Sequence, residues 1–246
     1  MNAKKFFLFA AMAFTAGVTT VKAQNADDIM KKHIEAMGGV DNWNKIKSLK
    51  LTGSMSANGM DIAMSQTTVN KKAMRMDISA MGQNGYTILT TTEGWVYMPF
   101  FPGGDKVTPI PAEELKGEQA QLNISANLFM DKSDYSKMNY AGMDTINSIP
   151  CYKLKVTSID GTEQTVYVDA STYYVVRKEM TLKIQDQEQE VAFNFSNFQK
   201  QPEGVVYPMT QGTPQGDVTF KSIEINKPVD ESLFKPAQPT PADSKK

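Results

Sequence analysis

The sequence has one cysteine, Cys151, and one histidine, His33, in 246 residues. A chain with no cysteine pair has no internal disulfide and must be held by its hydrophobic core, which a 41% hydrophobic content can supply. Cys151 follows Ile149-Pro150 and precedes alternating Tyr152-Leu154-Val156, so it reads as a small residue at the start of a strand. His33 lies beside the apolar stripe of a helix, far from Cys151, and no zinc-ligand spacing exists. A Ser-His-Asp set has one histidine to draw on, and G-x-S-x-G, H-E-x-x-H and P-loop motifs are absent. The paired acids Asp27-Asp28 and Glu113-Glu114 stand at helix starts, where the helix dipole favours them, and Glu188 and Glu190 flank a turn. Two carboxylates of a glycosidase can converge from anywhere in a chain, yet the strand faces are apolar where a sugar site needs acids. The expectation is a protein that is not an enzyme and needs no cofactor.

A long hydrophobic run is also missing. Lys4-Lys5 precede an apolar stretch from Phe6 to Val18, about a dozen residues where a membrane span needs about 20. Val21-Lys22-Ala23 then forms a small-residue cleavage site. Residues 1–23 read as a secretory signal peptide and Gln24 as the mature start, which implies a periplasmic protein. The absence of cysteine near that site excludes a lipid anchor there. Cleavage removes Lys4, Lys5 and Lys22 and leaves 23 basic against 27 acidic residues, a balance of about −4 with no basic stripe. This argues against nucleic acid as a partner and against electrostatic docking on anionic membrane.

What the sequence has in excess is methionine on alternating positions. Met60-Ile62-Met64 and Met74-Met76-Ile78 describe strands with one apolar face. Seven of the 16 methionines (Met55, Met60, Met64, Met74, Met76, Met81, Met98) fall between 55 and 98, where a tightly packed sheet more often carries Val, Ile and Phe. Methionine is flexible and polarizable. Its clustering has two readings: a core with irregular gaps, or an apolar concavity that receives a lipid or acyl chain.

Around this stretch the chain reads as strands with helical interruptions. Asn25 caps a first helix with the stripe Ile29, Met30, Ile34 and Met37, ended by Gly38-Gly39, and Asp41 caps a short turn through Trp43. Turns are expected at Asn58-Gly59, Asn70-Lys72, Gly82-Gly85 and Glu93-Gly94, and later at Asp160-Gly161 and Asp186-Gln187. The aromatic segment Trp95–Pro102 reads as a wide loop, either a flap over the concave face or a loop packed on its own rings. Pro109–Met130 reads as two short helices lying across the open side of the sheet. Strands resume from Met138, and the switch of parity from Val218-Phe220 to Ile223-Ile225 predicts a bulge. Residues 236–246 read as a disordered tail. The fold class is mainly β with α (α+β): a single antiparallel curved sheet of about 11–13 strands forming an incomplete barrel, with a helical lid, over residues 24–235.

Two segments, Thr92–Pro99 and the C-terminal third from Val168 to Phe234, resemble periplasmic lipoprotein-carrier proteins of the LolA/LolB-like family. Thr92-Glu93-Gly94-Trp95-Val96-Tyr97-Met98-Pro99 is similar to that family's D-G-x-x-x-W-x-Y-x-P strand, with Glu for Asp and the Trp closer to the Gly. Val168-Asp169-Ala170-Ser171-Thr172, Phe195–Phe198, Gly204–Pro208 and the closing Ile225–Phe234 resemble its C-terminal third in order and spacing. The resemblance implies an incomplete barrel whose helices cover a cavity for acyl chains. The family's functional arginine near the start of the third strand is replaced here by Lys71-Lys72, with Arg75 further in.

The implied ligand is a lipid or lipoprotein acyl chain carried by a monomer. The residues expected to line the cavity or its lid are Met55, Met64, Met74, Met76, Trp95, Tyr97, Phe100, Leu122 and Phe129. The alternative is a non-carrier module that binds an envelope protein through an exposed aromatic patch on Trp95–Pro102, or one that senses lipid or lipoprotein.

Overall fold

The computed structural model describes residues 25–57, 60–125, 128, 135–159, 161–184 and 187–236. The expected signal peptide, the turns at Asn58-Gly59 and Asp186, and the tail from 237 onward lie outside them.

The chain opens with α1 (Ala26–Ala36), whose first turn is closed by the Asn25 side chain accepting from the Asp27 amide at 3.1 Å. Asp27 and Asp28 occupy the positive end of the helix. Gly38 (φ +104°) and Gly39 (φ +81°) end it and lead into α2 (Val40–Asn44). The cap of α2 is Gly39 with no side-chain bond; Asp41 lies inside the helix and caps nothing.

Among the described residues thirteen strands follow: β1 (Ser48–Ala57), β2 (Met60–Val69), β3 (Ala73–Ala80), β4 (Gln83–Thr90), β5 (Gly94–Tyr97), β6 (Thr108–Pro109), β7 (Tyr135–Ile146), β8 (Ile149–Ser158), β9 (Glu163–Asp169), β10 (Val175–Ile184), β11 (Gln187–Lys200), β12 (Val206–Thr213) and β13 (Gly216–Ile225). They form one antiparallel sheet in the order β6-β5-β4-β3-β2-β1-β13-β12-β11-β10-β9-β8-β7. The sheet is an unclosed, incomplete barrel, as expected from the strand pattern, since β6 and β7 each keep a free edge. The one long interruption holds α3 (Ala112–Glu118) and a 3₁₀ turn, Gln119–Leu122.

Register decides which side chains share a face. At Thr52/Gly53 the β1 partner steps from Ser222 to Phe220, so a bulge turns Val218, Phe220, Ile223 and Ile225 all to one side. A Cβ on Gly53 would stand 2.4 Å from the Thr219 carbonyl oxygen, which is why this position carries no side chain. Two turns depart from expectation. The β3–β4 reversal is the two-residue Met81-Gly82, both at positive φ, while Gln83–Gly85 already belong to β4. Glu93-Gly94 is not a glycine turn: Gly94 opens β5 and its missing Cβ makes room for Ile110 and Leu115.

The helices lie on one face of the sheet, called inner here. Ile29 and Met30 of α1 pack on Leu154, Val156, Val166 and Phe195, and Trp43 of α2 packs near Leu49, Tyr207 and Ile225. Leu115 and Leu122 cover Met74 and Leu89. On the outer face a C-terminal 3₁₀ turn, Glu231–Phe234, presses Phe234 on Ala73, Tyr86 and Ile88.

Candidate functional site

Between the cluster under α1 and the cluster under α3 a cavity of about 390 Å³ remains. Its floor comes from six successive strands. These contribute Gln66 and Thr68 (β2), Leu49 and Leu51 (β1), Phe220 (β13), Tyr207, Gln211 and Thr213 (β12), Phe193 and Phe195 (β11), and Lys178 and Met180 (β10). Six strands laid flat span about 24 Å at the usual inter-strand spacing. Residues from both ends of that span meet around one cavity because the sheet curls.

The roof is Gln121, Asn123, Ile124 and Leu128. It is tied down at its margins by backbone and amide hydrogen bonds. The Lys71 amide donates to the Leu122 carbonyl (2.7 Å), the Ile124 amide to Asn70 Oδ1 (3.2 Å), and Gln119 Nε2 to the Thr90 carbonyl (3.1 Å). Asn70-Lys71, expected only as a turn, therefore also anchors the roof. On the far side His33, fully buried, sets its two ring nitrogens 2.8 Å from the carbonyl oxygens of Leu128 and Tyr173. Burial pushes the imidazole below its ordinary pKa more strongly than the two carbonyls raise it. His33 is thus an interior clasp, not a boundary residue.

The chemistry of the walls is mixed. Leu49, Leu51, Leu128, Met180, Phe193, Phe195 and Phe220 supply apolar surface, and Gln66, Thr68, Gln121, Asn123, Gln211 and Thr213 supply neutral polar groups. Lys178 is buried, and burial pushes its ammonium down to about 8. Tyr207 is also buried, and its hydroxyl is pushed up to about 12. Among the described residues no group of three or more His, Cys, Asp or Glu is placed to hold a metal ion. No helix among them is long and apolar enough to cross a membrane.

The structure distributes the expected site residues unevenly, and none of those described lines this cavity. Met74, Met76 and Leu122 are on the inner face but packed with Leu89, Leu115 and Ile110 beneath α3. Met55 and Met64 share that face by register, partly buried, at the sheet's other reach. Trp95 and Tyr97 are placed on the outer face: they pair with Ile88 and Tyr86 and pack with the cluster around Phe234. Phe100 is half-buried, edge-on to Phe101 at 5.0 Å, in a loop closed by bonds among Met98, Phe101 and Gly104. Of this loop's aromatics only Phe101 stands out, at 63% exposure. Phe129 lies outside the described residues. Arg75 faces outward too, bonding Asp77 and donating to the Leu233 carbonyl.

The lining that sequence reasoning missed comes from β1, β2, β10–β13 and the roof. The alternation Val191-Phe193-Phe195 was a usable signal for two of these positions.

No family model matches the chain, and no curated protein matches its sequence. Solved structures do share the fold. One is a LolA superfamily protein from Nitrosomonas europaea (14% identity, TM-score 0.53), covering 87% of this chain and 99% of that one. Another is a DUF1329 family protein from Desulfovibrio piger (15% identity, TM-score 0.52), covering 83% and 96%. A third is a domain described as an outer membrane lipoprotein-sorting protein, from Vibrio parahaemolyticus (13% identity, TM-score 0.51), covering 84% and 94%. At these identities the likeness is one of fold.

Proposed function

We propose that this protein is an exported, non-catalytic carrier that holds an acyl chain of a lipid or lipoprotein in its half-barrel during passage through the periplasm. The observation that carries the reading is the cavity of about 390 Å³ between the curled sheet and the helical roof. Clefts that bind small molecules typically measure about 300–1,000 Å³ and are lined mainly by apolar and aromatic side chains. The volume is near the low end of that range, which suits one chain and not several. Met74, Met76 and Leu89 extend the apolar surface beneath Leu115 and Leu122. Displacement of α3 would join that methionine patch to the cavity and enlarge it for bulkier cargo. The fold shared with a lipoprotein-sorting domain supports the same reading, as do the apolar stretch and cleavage site of residues 1–23.

The test is native mass spectrometry of the protein purified from the periplasm of its own host, against the denatured mass. A releasable lipid or lipopeptide adduct, lost in a folded Phe195→Asp variant, is the expected result. An adduct-free protein that also takes up no acyl probe in solution removes the proposal.

A further inference from the structure

Strand register sets two neutral polar side chains in the middle of an apolar face. On β2, Gln66 and Thr68 line the cavity. Gln66 pairs with Leu51 on β1 and Met76 on β3, and Thr68 pairs with Leu49 and Met74. Each row therefore runs apolar, polar, apolar across three strands. The leucines belong to the cavity, and the methionines pack with the cluster beneath α3. Thr68 is only 1% exposed. A polar group among apolar neighbours costs free energy unless hydrogen bonds satisfy it. Gln66 Nε2 donates to Thr68 Oγ1 at 3.2 Å. Among the described residues the Gln66 carbonyl oxygen, the second Nε2 hydrogen and the Thr68 hydroxyl hydrogen make no further bond.

We infer that Gln66 and Thr68 seat the uncharged junction of a two-limbed acyl ester, with one limb over Leu49 and Leu51 and the other over Met74 and Met76. This rests on the reading of the cavity as an acyl-chain site and names the class of cargo. An ester carbonyl accepts from the Thr68 hydroxyl and Gln66 Nε2, and a neighbouring hydroxyl donates to Gln66 Oε1. Neither side chain is charged, so the pair suits a neutral group; an ion placed there would give up its hydration for too little in return. Apolar surface on both sides of the pair matches a branch point, whereas a single-tailed amphiphile carries its polar group at one end. The second limb enters as α3 moves aside, because Leu115 and Leu122 cover Met74.

The experiment compares dioctanoylglycerol with its diether analogue, dioctylglycerol, by isothermal titration for the wild type and the Gln66→Leu/Thr68→Val double variant. The two lipids share shape and chain length, and the ether lacks the carbonyls. The wild type is expected to favour the ester about fivefold to tenfold, the equivalent of one net hydrogen bond. That ratio should fall towards one in the double variant. Met76→Ser should weaken dioctanoylglycerol about fivefold and leave monooctanoylglycerol, which needs the cavity alone, unchanged. Equal binding of ester and ether by the wild type, or an unchanged ratio in the double variant, overturns the inference and leaves the acyl-chain site standing. So does a Met76→Ser variant that treats the two glycerides alike. Binding of none of these lipids by the wild type overturns both. Circular dichroism of each variant confirms the fold, and should the double variant not fold, the wild-type ratio decides.

Discussion

His33 Nε2 lies 2.8 Å from the carbonyl oxygen of Leu128, joining the first helix to the roof of the cavity across 95 residues of chain. The other nitrogen stands equally close to the Tyr173 carbonyl, so one ring holds α1, the roof and the β9–β10 turn together. Only one of these contacts is an N–H donation when the ring is neutral.

Replacing His33 with Ala should cost about 2–4 kcal/mol, because the carbonyl that accepts from the ring loses its donor and a void opens. The pH dependence has a definite sign. The folded-state pKa is below the 6.5 of the free side chain, so the unfolded chain binds the proton more readily. Stability should therefore fall as pH drops below about 6.5. Urea melts at pH 7 and pH 5 check this, and His33→Gln should lessen the difference.

Lys178→Met should abolish a rise in stability that the wild type shows between about pH 8 and 10.5, the window set by a pKa lowered from 10.5 to about 8. The cost of the buried charge is full below pH 8 and fades as pH rises towards 10.5, so the wild type should gain more than the variant over that window. Val166 and Phe193 beside it do not titrate. Tyr207, the other ionisable group of the lining, is held near 12 and stays neutral. Denaturant midpoints at pH 7 and 10 measure the difference.

Phe234→Ala should destabilise the fold by about 3 kcal/mol, the usual cost of deleting a buried aromatic ring. The ring packs on Tyr86 and Ile88 with Trp95 and Tyr97 around it. A lowered midpoint with a red shift of tryptophan emission is the expected readout.

Gly38 and Gly39 end the same helix, yet alanine should be tolerated at only one of them. A Cβ at Gly38 would stand 2.2 Å from the Gly204 carbonyl oxygen, a backbone atom that cannot turn aside. Gly39 has nothing within 4 Å of its Cβ position. Gly39→Ala should cost about 1–2 kcal/mol for its positive φ, and Gly38→Ala several times as much. Thermal melts of the two variants compare them.

Cys151 is fully buried, and burial raises its thiol above the ordinary value. It should resist a thiol reagent such as dithionitrobenzoate in buffer and react in denaturant. Rapid modification of the native protein would contradict its placement.

Much of the architecture was legible in the sequence because side-chain parity and helix punctuation are local. Asn25 before Asp27 and Asp28 marks the first helix, and the parity switch between Phe220 and Ile223 marks the bulge opposite Gly53. The β3–β4 turn was misplaced because Met81, not a Gly or Asn, takes the first positive-φ position. The methionine alternation correctly separated two faces of β3, with Met74 and Met76 on one and Arg75 on the other.

Which face becomes the inside, and what then lines an opening, is not a local property. Trp95 and Tyr97 read as cavity residues because a strand with both faces covered has no polar side to mark the exterior. Their cover, Phe234, arrives some 140 residues later. Met74 and Met76 meet α3 and fill their space, so the gap falls further along the sheet, over β2, β1 and β13 through β10. Lys178, an unremarkable Lys in a polar run of sequence, becomes the buried cation only when strand register sets it between Val166 and Phe193 and the sheet curls. The sequence by itself determined the strands, their alternation and the ends of the first helix, since these follow from bonding and sterics over a few residues. The tertiary structure decided the cavity, because its walls come from six strands whose meeting depends on curvature and register summed over the whole sheet.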